Sequence, residues 1–109
     1  MNKRQYINGS RQVSIYKIND ITFEVRISKH ADDRLHQRKL DIFMVTGAIF
    51  SLGQKRINNY RDTGRDIFVM DKTNDLSVVC CIEGNIITII TVLDKADCYV
   101  KNGTDVINL

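Results

Sequence analysis

Apolar residues recur along this 109-residue chain with two periods, and the change from one to the other marks out its elements. Gln12-Val13-Ser14-Ile15-Tyr16-Lys17 alternates weakly between polar and apolar, and Ile21-Thr22-Phe23-Glu24-Val25-Arg26-Ile27 alternates strictly. Period-two alternation belongs to half-buried strands, and Asn19-Asp20 supplies turn residues between the runs, so a β-hairpin is predicted. The alternation stops at Ser28, whose side-chain oxygen suits the orphan N–H groups of a helix start. Asp32 and Asp33 then fall in the first turns, where the helix dipole favours negative charge. Lys29 to Lys39 has no strand alternation, and Ala31 and Leu35 lie four apart on one helix face. A second helix is capped by Asp41. Its Ile42, Val45, Ile49 and Leu52 keep helical spacing, Ala48 on that face permits close packing, and Gly53 ends it.

The remainder reads as β. Arg56 to Tyr60 forms a short predicted strand before the Asp62-Thr63-Gly64 turn. Asp66-Ile67-Phe68-Val69-Met70 is a strand, with Asp66 and Asp71 as bracketing turn residues. Leu76 to Ile82 and Ile86 to Leu93 are strands joined at Glu83-Gly84-Asn85. Ile86 to Leu93 is apolar on both faces, as a central strand covered by helices on one side would be. Thr88 and Thr91 interrupt it three positions apart, which places them on opposite faces of a regular strand. The tail from Asp94 turns polar, and its last residues are expected to fray. The predicted class is α+β: an N-terminal β-hairpin, then two helices packed on one face of a roughly four-stranded, curved antiparallel sheet. One domain spans 1–109, with a hairpin extension at 1–27, a core at 28–94 and a polar tail at 95–109.

Composition narrows the function classes. Hydrophobic residues are 43% and charged residues 27%, ordinary values for a globular domain, and the absence of proline leaves no Pro-rich linker. No run reaches the roughly 18 apolar residues that a membrane span needs, so no membrane partner is expected. Met1-Asn2-Lys3-Arg4-Gln5 leads into polar sequence without a signal peptide's apolar region, and the expected location is cytoplasmic. The three cysteines are Cys80, Cys81 and Cys98. The odd number and the adjacent pair argue against a disulfide framework. Strand neighbours point to opposite faces, which argues against a shared metal. No P-loop, G-x-G-x-x-G, H-E-x-x-H or C-x-x-C is present, so ATP use, dinucleotide redox chemistry and zinc hydrolysis have no support, and no cofactor or metal is expected.

Charge changes the picture more. The net charge is +3, but residues 1–65 hold thirteen of the sixteen Lys/Arg against six of the thirteen Asp/Glu, a balance of +7. Residues 66–109 hold three against seven, a balance of −4. Such a split suits a polyanion-facing side. Within the basic part, His30, Arg34 and Arg38 recur every fourth residue, and at about 100° per residue they form one drifting stripe beside Ala31 and Leu35. Metal-free RNA cleavage needs a base, an acid and cations for the charge that builds on phosphate. Histidine titrates near pH 6.5 and serves either proton-transfer role, and arginine clamps phosphate oxygens while staying charged. The same stripe also fits a solvated helix face with salt bridges to Asp33 or Glu24. His36 lies off it, as a surface residue. A second cluster, Lys55, Arg56, Arg61 and Arg65 with Tyr60 among them, fits a groove for nucleic acid with a stacking ring, or a charged edge that resists aggregation.

S-K-H-A-D-D-R-L-H-Q-R-K-L-D-I resembles the helix of a small bacterial and phage domain of unknown function that opens with His-x3-Arg-x3-Arg and leads into a second helix. G-R-D-I-F-V-M and L-S-V-V-C-C-I-E-G-N-I-I-T-I-I-T-V-L resemble that domain's closing strands. The resemblance covers residues 27–94. Two features differ: Lys39 stands where glycine often follows the second arginine, and the N-terminal hairpin is additional. The domain is similar to RelE-like and barnase–EndoU–colicin ribonuclease toxins. What the resemblance implies is a metal-independent ribonuclease or a degenerate relative of one, with His30, Arg34, Arg38 and Thr91 as its candidate site.

Two functions are therefore weighed. The first is a toxin-like, metal-independent endoribonuclease in which Lys29, Lys39, Lys55, Arg56, Tyr60, Arg61 and Arg65 extend the RNA contact, with an antitoxin as possible partner. The second is a non-catalytic phage- or plasmid-encoded inhibitor that uses the same fold to block a host protein or a nucleic-acid site.

Overall fold

A computed structural model describes residues 6–7, 10–18, 21–96 and 105–109. The elements run β1 (Tyr6–Ile7), β2 (Ser10–Ile18), β3 (Ile21–Ser28), α1 (Lys29–Arg38), α2 (Ile42–Phe50), α3 (Gly53–Tyr60), β4 (Ile67–Asp71), β5 (Leu76–Glu83), β6 (Ile86–Leu93) and β7 (Asp105–Asn108). The class is α+β. Among the described residues the strands form one mixed sheet in the order β1-β2-β3-β6-β5-β4-β7.

The sheet is wider than the alternation predicted and is not purely antiparallel. β3 pairs in parallel with β6, from Glu24 opposite Ile86 to Ile27 opposite Ile89. β4 likewise runs parallel to β7, with Ile67 opposite Asp105. Parallel neighbours need a long connection, and three helices and two strands separate β3 from β6 in the chain. β3 is therefore no appendage. Its Phe23, Val25 and Ile27 are buried in the same core as Ile87, Ile89 and Val92. The C-terminal segment, expected to fray, instead supplies β7, with Ile107 buried against that core. The Asn19-Asp20 turn and Cys98 lie outside the described residues.

α1 forms where alternation ends because Ser28 caps it. The Ser28 hydroxyl oxygen accepts from the Ala31 N–H at 3.0 Å and donates to the Ile90 carbonyl at 2.8 Å. One side chain thus satisfies an orphan helix donor and ties the helix start to β6. Ala31 and Leu35 carry α1 onto the sheet, mainly over β6. The helix closes at Lys39 in the left-handed region, φ 52°, and the Leu40 N–H reaches back to the Leu35 carbonyl at 3.0 Å. Asp41 caps α2 by accepting from the Phe43 N–H at 2.8 Å, and Val45, Ala48 and Ile49 fill the layer between helix and sheet.

A third helix replaces the short strand expected at 56–60. Gly53, at φ 80°, stops α2 and starts α3 within a single turn. In α3 only Ile57 is fully buried, while Gln54 and Tyr60 on the same side are half-buried. Spacings of three are helical, and one buried isoleucine among polar neighbours gives no period-two signal.

A left-handed residue with a side chain costs roughly 1–2 kcal/mol against glycine. Lys39→Gly is therefore expected to stabilise the fold by about 1 kcal/mol, raising Tm by about 4 °C in a thermal melt. An unchanged or lower Tm would contradict the strain assigned to Lys39.

Candidate nucleic-acid interface

His30 is exposed, Arg34 half-buried and Arg38 half-buried. The two carboxylates that suited neutralisation of the stripe are engaged elsewhere. Asp33 accepts from Lys29 at 3.2 Å, and Glu24 accepts from Arg26 Nε at 2.6 Å. Among the described residues no carboxylate pairs with His30 or Arg34. Arg38 is different: its Nη1 donates to Asp94, just past the end of β6. His36, off the stripe, binds back to its own helix, with Nδ1 2.7 Å from the Asp32 carbonyl. His36 is exposed as well, but it is tied back to α1, whereas His30 makes no such contact among the described residues.

Thr91 is not brought to this stripe. Along β6 the buried positions are Ile87, Ile89 and Val92. The step of three reflects an irregularity in the pairing: Cys80 faces Ile89 but Val79 faces Thr91, so Ile90 is an extra residue. A bulge of one residue resets the alternation. Thr88 and Thr91 consequently share a face, the one turned away from α1, instead of lying on opposite faces as a regular strand required.

The second basic cluster divides as well. Lys55 and Arg56 are exposed on α3. Tyr60 is half-buried, packed against the core. Arg61 turns inward, its guanidinium carbon 5.1 Å from the centroid of the Phe23 ring. Its Nε and Nη2 are buried without a hydrogen-bond partner among the described residues, so the cation is held by the ring face and by packing. Arg65 pairs with Asp105 at 3.4 Å, anchoring the β4 entry to β7. Asp62, also assigned to a turn, accepts from the Gly84 N–H at 2.7 Å and so braces the β5–β6 hairpin. Asp71 holds the β4–β5 turn through Asn74, its oxygens accepting at 3.2 and 2.8 Å.

One exposed residue went unremarked in the sequence. Phe43 is 73% exposed, more than any other large hydrophobic side chain among the described residues. The signal was there: the apolar stripe Ile42, Val45, Ile49 and Leu52 leaves position 43 about 140° from the middle of the buried face.

Among the described residues no three His, Cys, Asp or Glu side chains gather to hold a metal ion, and no helix is long and apolar enough to cross a membrane. Comparison with family models, with curated proteins and with solved structures finds nothing that matches this chain.

Of the described cysteines, Cys80 belongs to the core and Cys81 is half-buried on the other face of β5. Burial first, then the neighbouring Cys81 and Asp66, push the Cys80 thiol up from 9.0 to about 12. Burial likewise raises Cys81, followed by the effect of Glu83. A thiol that resists ionising only when folded contributes stability fully present below pH 9. That stability is lost as pH rises toward about 12. The fall in Tm across that alkaline window is expected to be shallower in Cys80→Ala than in the unaltered protein. Parallel slopes would show that Cys80 does not drive the loss.

Proposed function

We propose that α1 holds RNA by its phosphates and that His30 cleaves it without a metal, as a toxin-like endoribonuclease does. The observation that supports this reading is the pair His30 and Arg34, which has no carboxylate partner among the described residues, on a helix whose own exposed carboxylate Asp33 is held by Lys29. In the proposed reaction the imidazole of His30 takes the proton from a ribose 2′-hydroxyl as its oxygen attacks the adjacent phosphorus. The bond from phosphorus to the 5′-oxygen breaks, a 2′,3′-cyclic phosphate forms, and the departing oxygen takes a proton from the imidazolium or from water. Arg34 clamps the non-bridging oxygens. Arg38 joins it by exchanging Asp94 for phosphate, a small cost because partly exposed ion pairs contribute about 0–1 kcal/mol. Lys29, Lys39, Lys55 and Arg56 extend the contact along the backbone. Thr91 has no part in this site.

The Arg38–Asp94 pair and the placement of Thr91 favour a second reading, a non-catalytic inhibitor that binds through the same helix.

Purified protein incubated with RNA and a chelator distinguishes them. Cleavage is expected, and His30→Ala should lower its rate about 10²–10⁴-fold. Arg34→Ala should weaken binding and reduce the salt slope of the affinity by about one ion. Full cleavage by His30→Ala removes that residue from the mechanism, and salt-sensitive binding without cleavage selects the inhibitor.

A further inference from the structure

Phe43 and Gly47 lie four residues apart on the exposed side of α2, and neither is explained by folding. Phe43 leaves most of its ring in solvent at 73% exposure. Gly47 sits inside a helix, where glycine costs roughly 0.5–1 kcal/mol relative to alanine. Its φ is not positive, and a Cβ built there would meet nothing within 4 Å. Neither backbone conformation nor close packing therefore requires glycine at 47. What the absent side chain does is leave bare helix surface one turn beyond an exposed aromatic ring. Ser51, a further turn on, folds its hydroxyl back onto the Gly47 carbonyl at 2.7 Å and adds no projection.

The place of this shelf gives it a partner. Helical side chains lean toward their own N-terminus, so the Phe43 ring lies over the start of α2. That start is joined to the end of α1 by the turn Lys39-Leu40-Asp41, and Arg38 and Lys39 stand on its far side. An exposed aromatic beside cations is the combination that takes unpaired nucleic acid: the cations meet phosphates and the ring stacks on a base, which every nucleotide provides.

We infer that Phe43, on the flat surface left by Gly47, stacks an unpaired base of RNA whose phosphates lie along α1, so that the ligand is single-stranded RNA taken with little regard to sequence. This inference rests on the RNA-binding reading of α1 and adds the ring and the strandedness. Base-paired RNA keeps its bases stacked on one another and has none to offer.

The test is the affinity of the full chain for three fluorescent oligoribonucleotides of equal length, measured by anisotropy: a single strand, the same strand with abasic riboses, and its duplex. The single strand is expected to bind more tightly than the other two. Phe43→Ala should weaken single-strand binding about 5- to 150-fold, the equivalent of one stacked base, and leave abasic binding unchanged. Phe43→Trp should retain it. Gly47→Gln, which lays a long side chain over the shelf, should weaken single-strand binding in the same direction. Gly47→Ala should raise Tm while changing affinity less than about twofold. Salt-sensitive RNA binding that Phe43→Ala leaves intact, or weakens equally on abasic RNA, overturns the shelf and spares the α1 reading. Absence of binding to all three RNAs overturns both. Because Phe43 is exposed, its variants are expected to melt with the unaltered protein, and a melt of each confirms that an affinity change is not unfolding.

Discussion

The parallel pairing of β3 with β6 holds the two halves of this chain together. On one side lies the N-terminal pair β2–β3, on the other the β4–β6 meander, and the register from Glu24–Ile86 to Ile27–Ile89 joins them into one sheet. Val25 and Ile27 beside Ile87 and Ile89 make a continuous buried layer beneath α1. Full burial of each such side chain contributes roughly 1.5–3 kcal/mol, more than any ion pair on this surface. Both ends of the seam are tied as well. The Glu24 N–H donates to the Asn85 carbonyl at 2.8 Å, and the Ser28 hydroxyl donates to the Ile90 carbonyl at 2.8 Å. Since Ser28 also caps α1, the position of the basic helix is set by the same pairing that closes the core. A charge at Val25 or Ile27 would therefore reach the candidate site through the sheet.

Local rules made much of this legible. Ser28 and Asp41 announced two helix starts, and both side chains accept the expected backbone N–H. Ile86 to Leu93, apolar on both faces, read as a central strand and is one. Sheet width and strand direction were not legible, because they depend on pairing between segments about sixty residues apart. Nothing in the alternation of Ile21 to Ile27 says whether its neighbour runs parallel or antiparallel. α3 was missed for a different reason. Its single buried residue, Ile57, fits either period, and only Gln54 and Tyr60 at spacings of three separate helix from strand. β7 was missed because one buried residue, Ile107, in a polar tail carries almost no periodic signal.

The candidate site was legible only along α1, where fixed helical geometry turns spacing into direction. His30, Arg34 and Arg38 needed no tertiary information to share a stripe. Thr91 did, since its face depends on the extra residue at Ile90, and a bulge leaves no mark in a run of β-branched residues. Tyr60 and Arg61 needed it too. In the sequence they are an aromatic and a cation in a basic run, and in the fold they are packing groups, with Arg61 seated on Phe23.

Charge counted along a chain is thus a poor guide to charge offered to a partner. Of the basic residues in the first 65, Arg26, Lys29, Arg38 and Arg65 are paired with carboxylates, and Arg61 is turned onto a ring. The exposed or half-exposed remainder on α1, its C-cap and α3 is His30, Arg34, Lys39, Lys55 and Arg56, with His36 bound back to Asp32. Phosphate contacts from such groups fix position and confer salt dependence, but they do not distinguish a paired strand from an unpaired one. That distinction requires a surface that an exposed base can use and a stacked base cannot. On the helices Phe43 is the large apolar ring left in solvent, and it stands at the junction where the basic helix ends. The selectivity of a face built this way therefore resides in an apolar residue beside the charges more than in the charges themselves.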